Sequence, residues 1–270
     1  MKSIHINEIY YALKLDKLLN NSFIRNNSSK ILQETVKNFS NKKVIVIGNG
    51  PSLLKTDLRD IQEKRKDYVL IASNGFYLYT KEKGIEADIY CVEDPYPAEE
   101  MREEIMKYSS IRILPFDLIH IYENFKKEIA FVDFRRRLSL LKIRGFKFNN
   151  NLLEKYYWGS TVTYLALQIA ANLSPKAVFL VGCDCNYKVN LKDKIKRNTF
   201  LSNDDDVNHF SPNYFKNKRW HDPKVEVMHN AFRAANDYYK KLSIPLYNCS
   251  PGTAIKSIKK LSWNEAINNN

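Results

Sequence analysis

No apolar run in this chain approaches the roughly 18 residues needed to cross a bilayer, and MKSIHINEIYYALKLDKLLNNS lacks the apolar core of a signal peptide. Those absences predict a cytoplasmic protein. Cysteine is sparse as well: Cys91, Cys183, Cys185 and Cys249 form no C-x-x-C pair and no zinc spacing, so reduced, mostly buried thiols are expected. Glycine numbers 8 in 270 residues, and the chain contains neither G-x-G-x-x-G nor a Gly-Lys-Ser/Thr P-loop. No helix-turn-helix or zinc-finger spacing appears, and the basic clusters are not interleaved with aromatics, which argues against a nucleic-acid partner.

What is present in excess is positive charge. The net charge of +13 is spread along the chain, densest at Lys42/Lys43, Lys126/Lys127, Arg135/Arg136/Arg137 and in KVNLKDKIKRN from Lys188 to Asn198. Such a distribution suits an anionic sugar donor or peripheral contact with a membrane surface. With 44% hydrophobic residues over 270 positions the chain can bury a sizeable core.

The most informative stretch is KKVIVIGNGPSLL, Lys42 to Leu54. Val44 to Ile47 suit a strand buried on both faces, and Gly48, Asn49, Gly50, Pro51 and Ser52 supply a turn into a helix start. Glycine allows a phosphate to approach closely, and helix-start N–H groups would face the anion. A turn without a ligand is the plain alternative.

Further strand-like runs lie at Val69 to Ala72, Ile89 to Val92, Ile111 to Leu114, Ile129 to Val132 and Val178 to Val181. Helical patterns intervene at Glu99 to Tyr108 and Ser160 to Leu173, and another runs from Val225 to Leu242 with His229 in it. The alternation predicts an α/β fold with a mostly parallel, Rossmann-like sheet and helices on both faces. Residues 1–40 read as an N-terminal extension of two helices, divided by the polar Asn20 to Ser29; residues 41–270 read as the nucleotide-binding catalytic domain, with a lid over about 186–224.

Ligands in parallel sheets sit at the carboxyl ends of the strands. That rule collects Asn49 to Ser52, Ser73-Asn74-Gly75, Glu93-Asp94-Pro95 and Gly182-Cys183-Asp184, whose side chains can bond phosphate, ribose, a base edge or a cation. Gly159-Ser160-Thr161 opens a helix and can cap it or meet a ligand. In DDDVNHFSPNYFKNKRWHDP, His209 and His221 are candidates for proton transfer, beside Tyr214, Arg219 and Trp220. Asp204, Asp205 and Asp206 can bind Mg²⁺ or form a solvated loop.

These motifs carry a resemblance. G-N-G-P-S-L, S-N, D-P, G-S-T, V-G-C-D and the final LYNCSPGTAIKSIKKLSW resemble the bacterial sialyltransferases of glycosyltransferase family 42. They equally resemble a related group of bacterial proteins and the archaeal MptE-like hydroxymethylpterin diphosphokinases. The resemblance runs from about Lys42 to Ile267. It implies that Asn49, Gly50, Ser52 and Asn74 hold the phosphate and ribose of a cytidine nucleotide. It further implies that Ser160 contacts the donor, and that Gly182 and Asp184 line the nucleotide pocket; Gly48, Pro51, Gly159 and Thr161 are counted with them as nucleotide-binding candidates.

The implied activity is transfer of an acidic nine-carbon sugar, or a related one, from a CMP-linked donor to a glycan or surface-polysaccharide acceptor, without a required cofactor. His221 first and His209 second would serve as base, Tyr214 or Tyr187 would stabilise the leaving phosphate, and Arg219 would meet a carboxylate. Asp94 stands where the sialyltransferases carry asparagine, and Gly159-Ser160-Thr161 replaces their T-S-G order. Asp94 and Asp184 would therefore hold Mg²⁺ if the chain is instead an ATP-using diphosphokinase. A non-catalytic nucleotide-sugar-binding protein is the third reading, and oligomerisation stays open.

Overall fold

The structure, a computed structural model, describes residues 21–136, 145–149, 151–196 and 198–268. The first expected helix, over Ile9 to Leu19, lies outside the described residues, as do Arg137 and Arg197. Helix α1 (Ser22–Phe39) begins inside the polar stretch expected to separate two helices. The Asn21 side chain caps it by accepting from Ile24 N at 3.2 Å, so the asparagines and serines sit on a helix that buries Ile24, Ser28, Leu32 and Thr35. Ser28 Oγ in turn accepts from Phe131 N at 2.9 Å, which fastens α1 to the sheet edge.

The strands β1 (Lys43–Ile47), β2 (Tyr68–Ser73), β3 (Ile89–Cys91), β4 (Ile111–Pro115), β5 (Ile129–Val132) and β8 (Ala177–Val181) form where their apolar runs predict. The intervening β6 (Phe134–Arg135) and β7 (Tyr156–Tyr157) pair separately. Two further strands, β12 (Leu246–Asn248) and β13 (Lys259–Lys260), complete a sheet of order β13-β12-β8-β1-β2-β3-β4-β5 in which every pairing is parallel.

Alternate residues of β1 face opposite cores. Val44 and Val46 pack with helices α5 (Val162–Ala171) and α6 (Val225–Lys241), whereas Ile45 and Ile47 pack with Phe76, Tyr214 and Trp220 on the other side. Burial on both faces explains why the strand sequences are continuously apolar. Helix α2 (Tyr77–Lys83) follows β2, and α7 (Trp263–Asn268) closes the described chain.

One expected helix is broken. Glu99 to Tyr108 divides into α3 (Pro95–Glu100) and α4 (Arg102–Ile105), separated by Met101 at φ −114°, ψ 4°. Asp94 caps α3 by accepting from Tyr96 N at 2.9 Å, and Pro95 and Pro97 are tolerated in a first turn that needs no N–H donors. Met101 is buried, so core packing fixes the break.

The segment expected to form a lid contains an antiparallel sheet of β9 (Lys194–Lys196), β10 (Thr199–Ser202) and β11 (Lys218–His221), in the order β11-β10-β9. Phe200, Phe215 and Trp220 anchor it in the core, with Phe200 and Trp220 4.9 Å apart between ring centroids.

Candidate functional site

The chain leaves β1 and runs out through β2, β3, β4 and β5, then returns to place β8 on the other side of β1. The strand order therefore reverses between β1 and β8, where parallel sheets open a crevice beyond their carboxyl ends. Glycine makes the crevice narrow at its base. A Cβ at Gly48 would lie 2.5 Å from Gly182 O, and one at Gly182, whose φ is +65°, would lie 2.4 Å from Gly48 O. Gly50 N donates to Gly182 O at 2.8 Å, locking the two turns together.

Above them lies a cavity of about 400 Å³. Of the residues expected at the nucleotide, Gly48, Asn49, Gly50, Pro51, Ser52, Asn74, Thr161, Gly182 and Asp184 line it, joined by His209 and Tyr214 of the lid. Lys55, Lys188, Cys185 and Tyr187 also line it.

The expected phosphate cradle takes a different form. Pro51–Lys55 is a five-residue 3₁₀ turn, and its Ser52 N–H is taken by Asp184 Oδ2 at 2.8 Å. Gly48 N and Gly50 N donate to Val181 O and Gly182 O, so these amides cannot serve an anion. The turn instead presents side-chain oxygens. Asn49 Nδ2 donates to Ser73 O at 3.0 Å, which aims Oδ1 away from that bond. Asn49 Oδ1, Ser52 Oγ, Asn74 Oδ1 and Asp184 Oδ1 are all buried without a hydrogen-bond partner among the described residues. Three of these four atoms only accept, so they call for a ligand with hydroxyl or amino donors, such as a ribose, a sugar or a base edge. Lys55, Lys188 and the Ser52 hydroxyl are among the groups of the lining residues that can serve an anion.

His209 stands in the cavity wall with its environment built around it. Its Nδ1 lies 2.8 Å from Asp206 Oδ2, and the two side chains are 10% and 5% exposed. Burial raises the Asp206 pKa, but the hydrogen bond and charge of His209, with the Asn208 and Phe215 N–H groups, outweigh it and hold the carboxyl below its ordinary value. The His209 ring stacks on Tyr214 at 3.9 Å and 2° between planes, and Phe215 meets it edge-on. With Nδ1 committed to the carboxylate, Nε2 is the nitrogen free for a substrate.

Tyr214 itself is tied down. Its hydroxyl accepts from Gly75 N at 3.1 Å, and a Cβ at Gly75 would strike its ring at 2.3 Å, so this tyrosine backs His209. Phe210 N donates to Asn49 O at 2.9 Å, coupling the lid directly to the first turn.

The remaining expected residues gather elsewhere. His221 Nδ1 contacts Asp94 Oδ2 at 2.6 Å, and its ring stacks on Tyr96 at 4.3 Å. Arg219, expected to meet a ligand carboxylate, already meets Glu100 at 2.7 Å and Glu99 at 3.0 Å and lies over Tyr96. None of His221, Asp94 and Arg219 lines the cavity, because β11 docks on α3 and its polar side chains find partners there.

Gly159 and Ser160 lie outside the lining too. Gly159 has no room for a Cβ against Tyr164, Ser160 adopts φ +64°, and Thr161 both caps α5 and reaches the cavity. Asp204 and Asp205 line a smaller neighbouring cavity of about 180 Å³, with Asp205 paired to Lys216. Asp94 and Asp184, the expected Mg²⁺ pair, are not brought into one cavity: Asp94 is committed to His221 and Tyr96 N, and only Asp184 faces the ligand space. These two residues do not fit a shared cation site.

The architecture and site thus define a Rossmann-like α/β protein with a ligand cavity at the switch point of its parallel sheet. Residues 17–190 match the family model described as 6-hydroxymethylpterin diphosphokinase MptE-like, and the chain belongs to this MptE-like family. The MAf glycosyltransferase from Magnetospirillum magneticum AMB-1 has a similar fold, with a TM-score of 0.54 and 16% identity over 89% of this chain. The chain spans only 39% of that protein, and the likeness is one of fold. A mammalian sialyltransferase in complex with Gal-beta-1-3GalNAc-ortho-nitrophenol matches at a TM-score of 0.37 and 12% identity, covering 89% of this chain and 85% of that one. That similarity is too loose to carry an argument. No curated protein matches the chain. Of the kinship expected from the motifs, the MptE-like part stands.

Proposed function

We propose that this protein is a glycosyltransferase that binds a nucleotide-linked sugar, CMP-linked in the first instance, in the cavity between β1 and β8. The observation that carries the reading is a cavity lined by Asn49, Ser52, Asn74 and Asp184, each with a buried polar atom that lacks a partner among the described residues, and walled by a carboxylate-backed histidine. Asn49, Asn74 and Asp184 would accept from nucleoside or sugar hydroxyls and amino groups. Lys55 and Lys188, exposed residues that line the cavity, would meet the leaving phosphate.

His209, backed by Asp206, would take the proton from the acceptor hydroxyl as the bond from the sugar to phosphate breaks. Asp206 would stabilise the imidazolium that results. His221 is the second candidate, because its carboxylate-paired ring belongs to a cluster separate from the cavity.

The family match keeps a second reading in view, a diphosphokinase using ATP and Mg²⁺. One feature favours it: Asp184 lines the cavity and keeps a buried carboxylate oxygen, Oδ1, without a hydrogen-bond partner among the described residues. The two readings separate in one assay. Purified protein is incubated with CMP-linked nine-carbon acidic sugars, or with ATP and a hydroxymethylpterin, each with and without EDTA. The transferase reading expects release of CMP that persists in EDTA. Phosphate transfer from ATP, lost in EDTA and restored by Mg²⁺, with no turnover of any nucleotide sugar, would overturn it.

A further inference from the structure

The described chain exposes few large apolar side chains, and they are not scattered evenly. Of the seven, Phe23, Leu54, Leu153, Val189, Leu191, Ile195 and Val207, four belong to the lid between residues 189 and 207. Leu191 is 74% exposed, Val207 63% and Ile195 50%. Single exposed hydrophobics need no explanation, but a group on one segment marks an interaction surface.

Several features hold this segment together. The Asn208 side chain clasps the backbone of Lys188, accepting from its N at 2.6 Å and donating to its O at 2.8 Å, which brings Val207 beside the start of the segment. Asn190 accepts from Lys192 N at 3.1 Å to form the following turn. Strand β9 then runs along the edge of the lid sheet with Lys194, Ile195 and Lys196 all exposed.

Charge completes the pattern. Between Lys188 and Lys196 stand four lysines and one acid, Asp193, a net of +3 in nine residues. Nearby, Asp205 is neutralised by Lys216 and Asp206 faces His209, leaving Asp204 as the other free acid. Apolar side chains interleaved with lysines on an exposed edge match a bilayer interface. The lysines meet lipid phosphates while leucine and isoleucine enter the headgroup boundary.

We infer that Val189, Leu191, Ile195 and Val207, with Lys192, Lys194 and Lys196, form a surface by which the lid docks on an anionic phospholipid membrane. Lys188 and Val207 also line the cavity, so docking would set the cavity mouth at the membrane. Under the transferase reading proposed above, on which this step rests, a lipid-linked acceptor could then reach it without leaving the bilayer.

The test is co-sedimentation of the full chain with vesicles of phosphatidylcholine alone and of phosphatidylcholine with phosphatidylglycerol, at low and high salt. Two double variants touch the patch, Leu191→Asn with Ile195→Asn and Lys192→Glu with Lys194→Glu. A third, Lys126→Glu with Lys127→Glu, makes the same charge change elsewhere, and thermal midpoints confirm that all three fold. Binding is expected to the anionic vesicles only and to weaken with salt. Each patch variant should reduce it about tenfold or more, and the distant control much less. Absence of binding, equal binding to neutral vesicles, or equal loss in the control variant would overturn the inference.

Discussion

His209 and His221 show how position decides the chemistry of a side chain. Both pair through Nδ1 with a carboxylate and both stack on a tyrosine, but the His209 side chain is 10% exposed and that of His221 43%. Only His209 faces the cavity. His209→Ala is therefore expected to lower turnover by roughly two to four orders of magnitude with little change in donor affinity, and His221→Ala to have the smaller effect. Steady-state kinetics on a verified donor and acceptor check this; the reverse ranking would move the base to β11.

Glu93 gives a second prediction at this scale. Burial raises its carboxyl to about 8, which Arg136 opposes and Asp94 and Asp117 reinforce. A carboxyl that binds its proton more tightly when folded destabilises the fold as pH rises from the unfolded value toward 8, by at most about 1.4 kcal/mol per pH unit. Glu93→Gln keeps the neutral shape. Urea midpoints at pH 5 and pH 8.5 should fall with pH in the wild type and stay level in the variant. Asp206 acts in the opposite sense: its lowered pKa contributes stability above the ordinary carboxylate value, lost as pH falls through the folded one.

Among the elements, the paired turns after β1 and β8 set the geometry of the cavity. Gly182 and Gly84 both have positive φ, but a Cβ at Gly182 meets Gly48 O at 2.4 Å, whereas one at Gly84 meets nothing within 4 Å. Gly84→Ala should cost about 1 kcal/mol from conformation alone, and Gly182→Ala about 2 to 4 kcal/mol because steric strain is added. Denaturant unfolding measures both, and equal costs would refute the close approach.

The same elements show what patterning reveals. β1 to β5 and β8 were legible because strands buried on both faces must be continuously apolar. β12 and β13 were not: Leu246-Tyr247-Asn248 and Lys259-Lys260 are short and partly or wholly polar, and β12 pairs on the edge of β8 while β13 pairs on the edge of β12. The turn residues Asn49, Ser52, Asn74 and Asp184 could be gathered from sequence by the carboxyl-end rule. Lys55 and Lys188 could not, because no pattern announces which exposed lysine borders a cavity. Nor could the Asp206–His209 pair: a run of three aspartates reads as solvated loop, and only folding buries the third of them.

At the scale of the whole molecule, one sheet, a switch-point cavity and a lid act as a unit. The lid is fastened to the first turn through Phe210 N and Asn49 O, so ligand in the cavity and order in the lid should be coupled. Hydrogen exchange at Phe210 and Tyr214 is expected to slow when nucleotide binds. Unchanged exchange under saturation would separate the lid from the site.

Calorimetric titration of wild type and Asn49→Ala with CMP measures whether the cavity lined by Asn49, Ser52, Asn74 and Asp184 holds a nucleotide. Saturable binding to the wild type is expected, with a loss of about 1 to 3 kcal/mol in a variant whose unfolding remains cooperative. No binding of CMP to the wild type, or equal affinity in the folded variant, would contradict it.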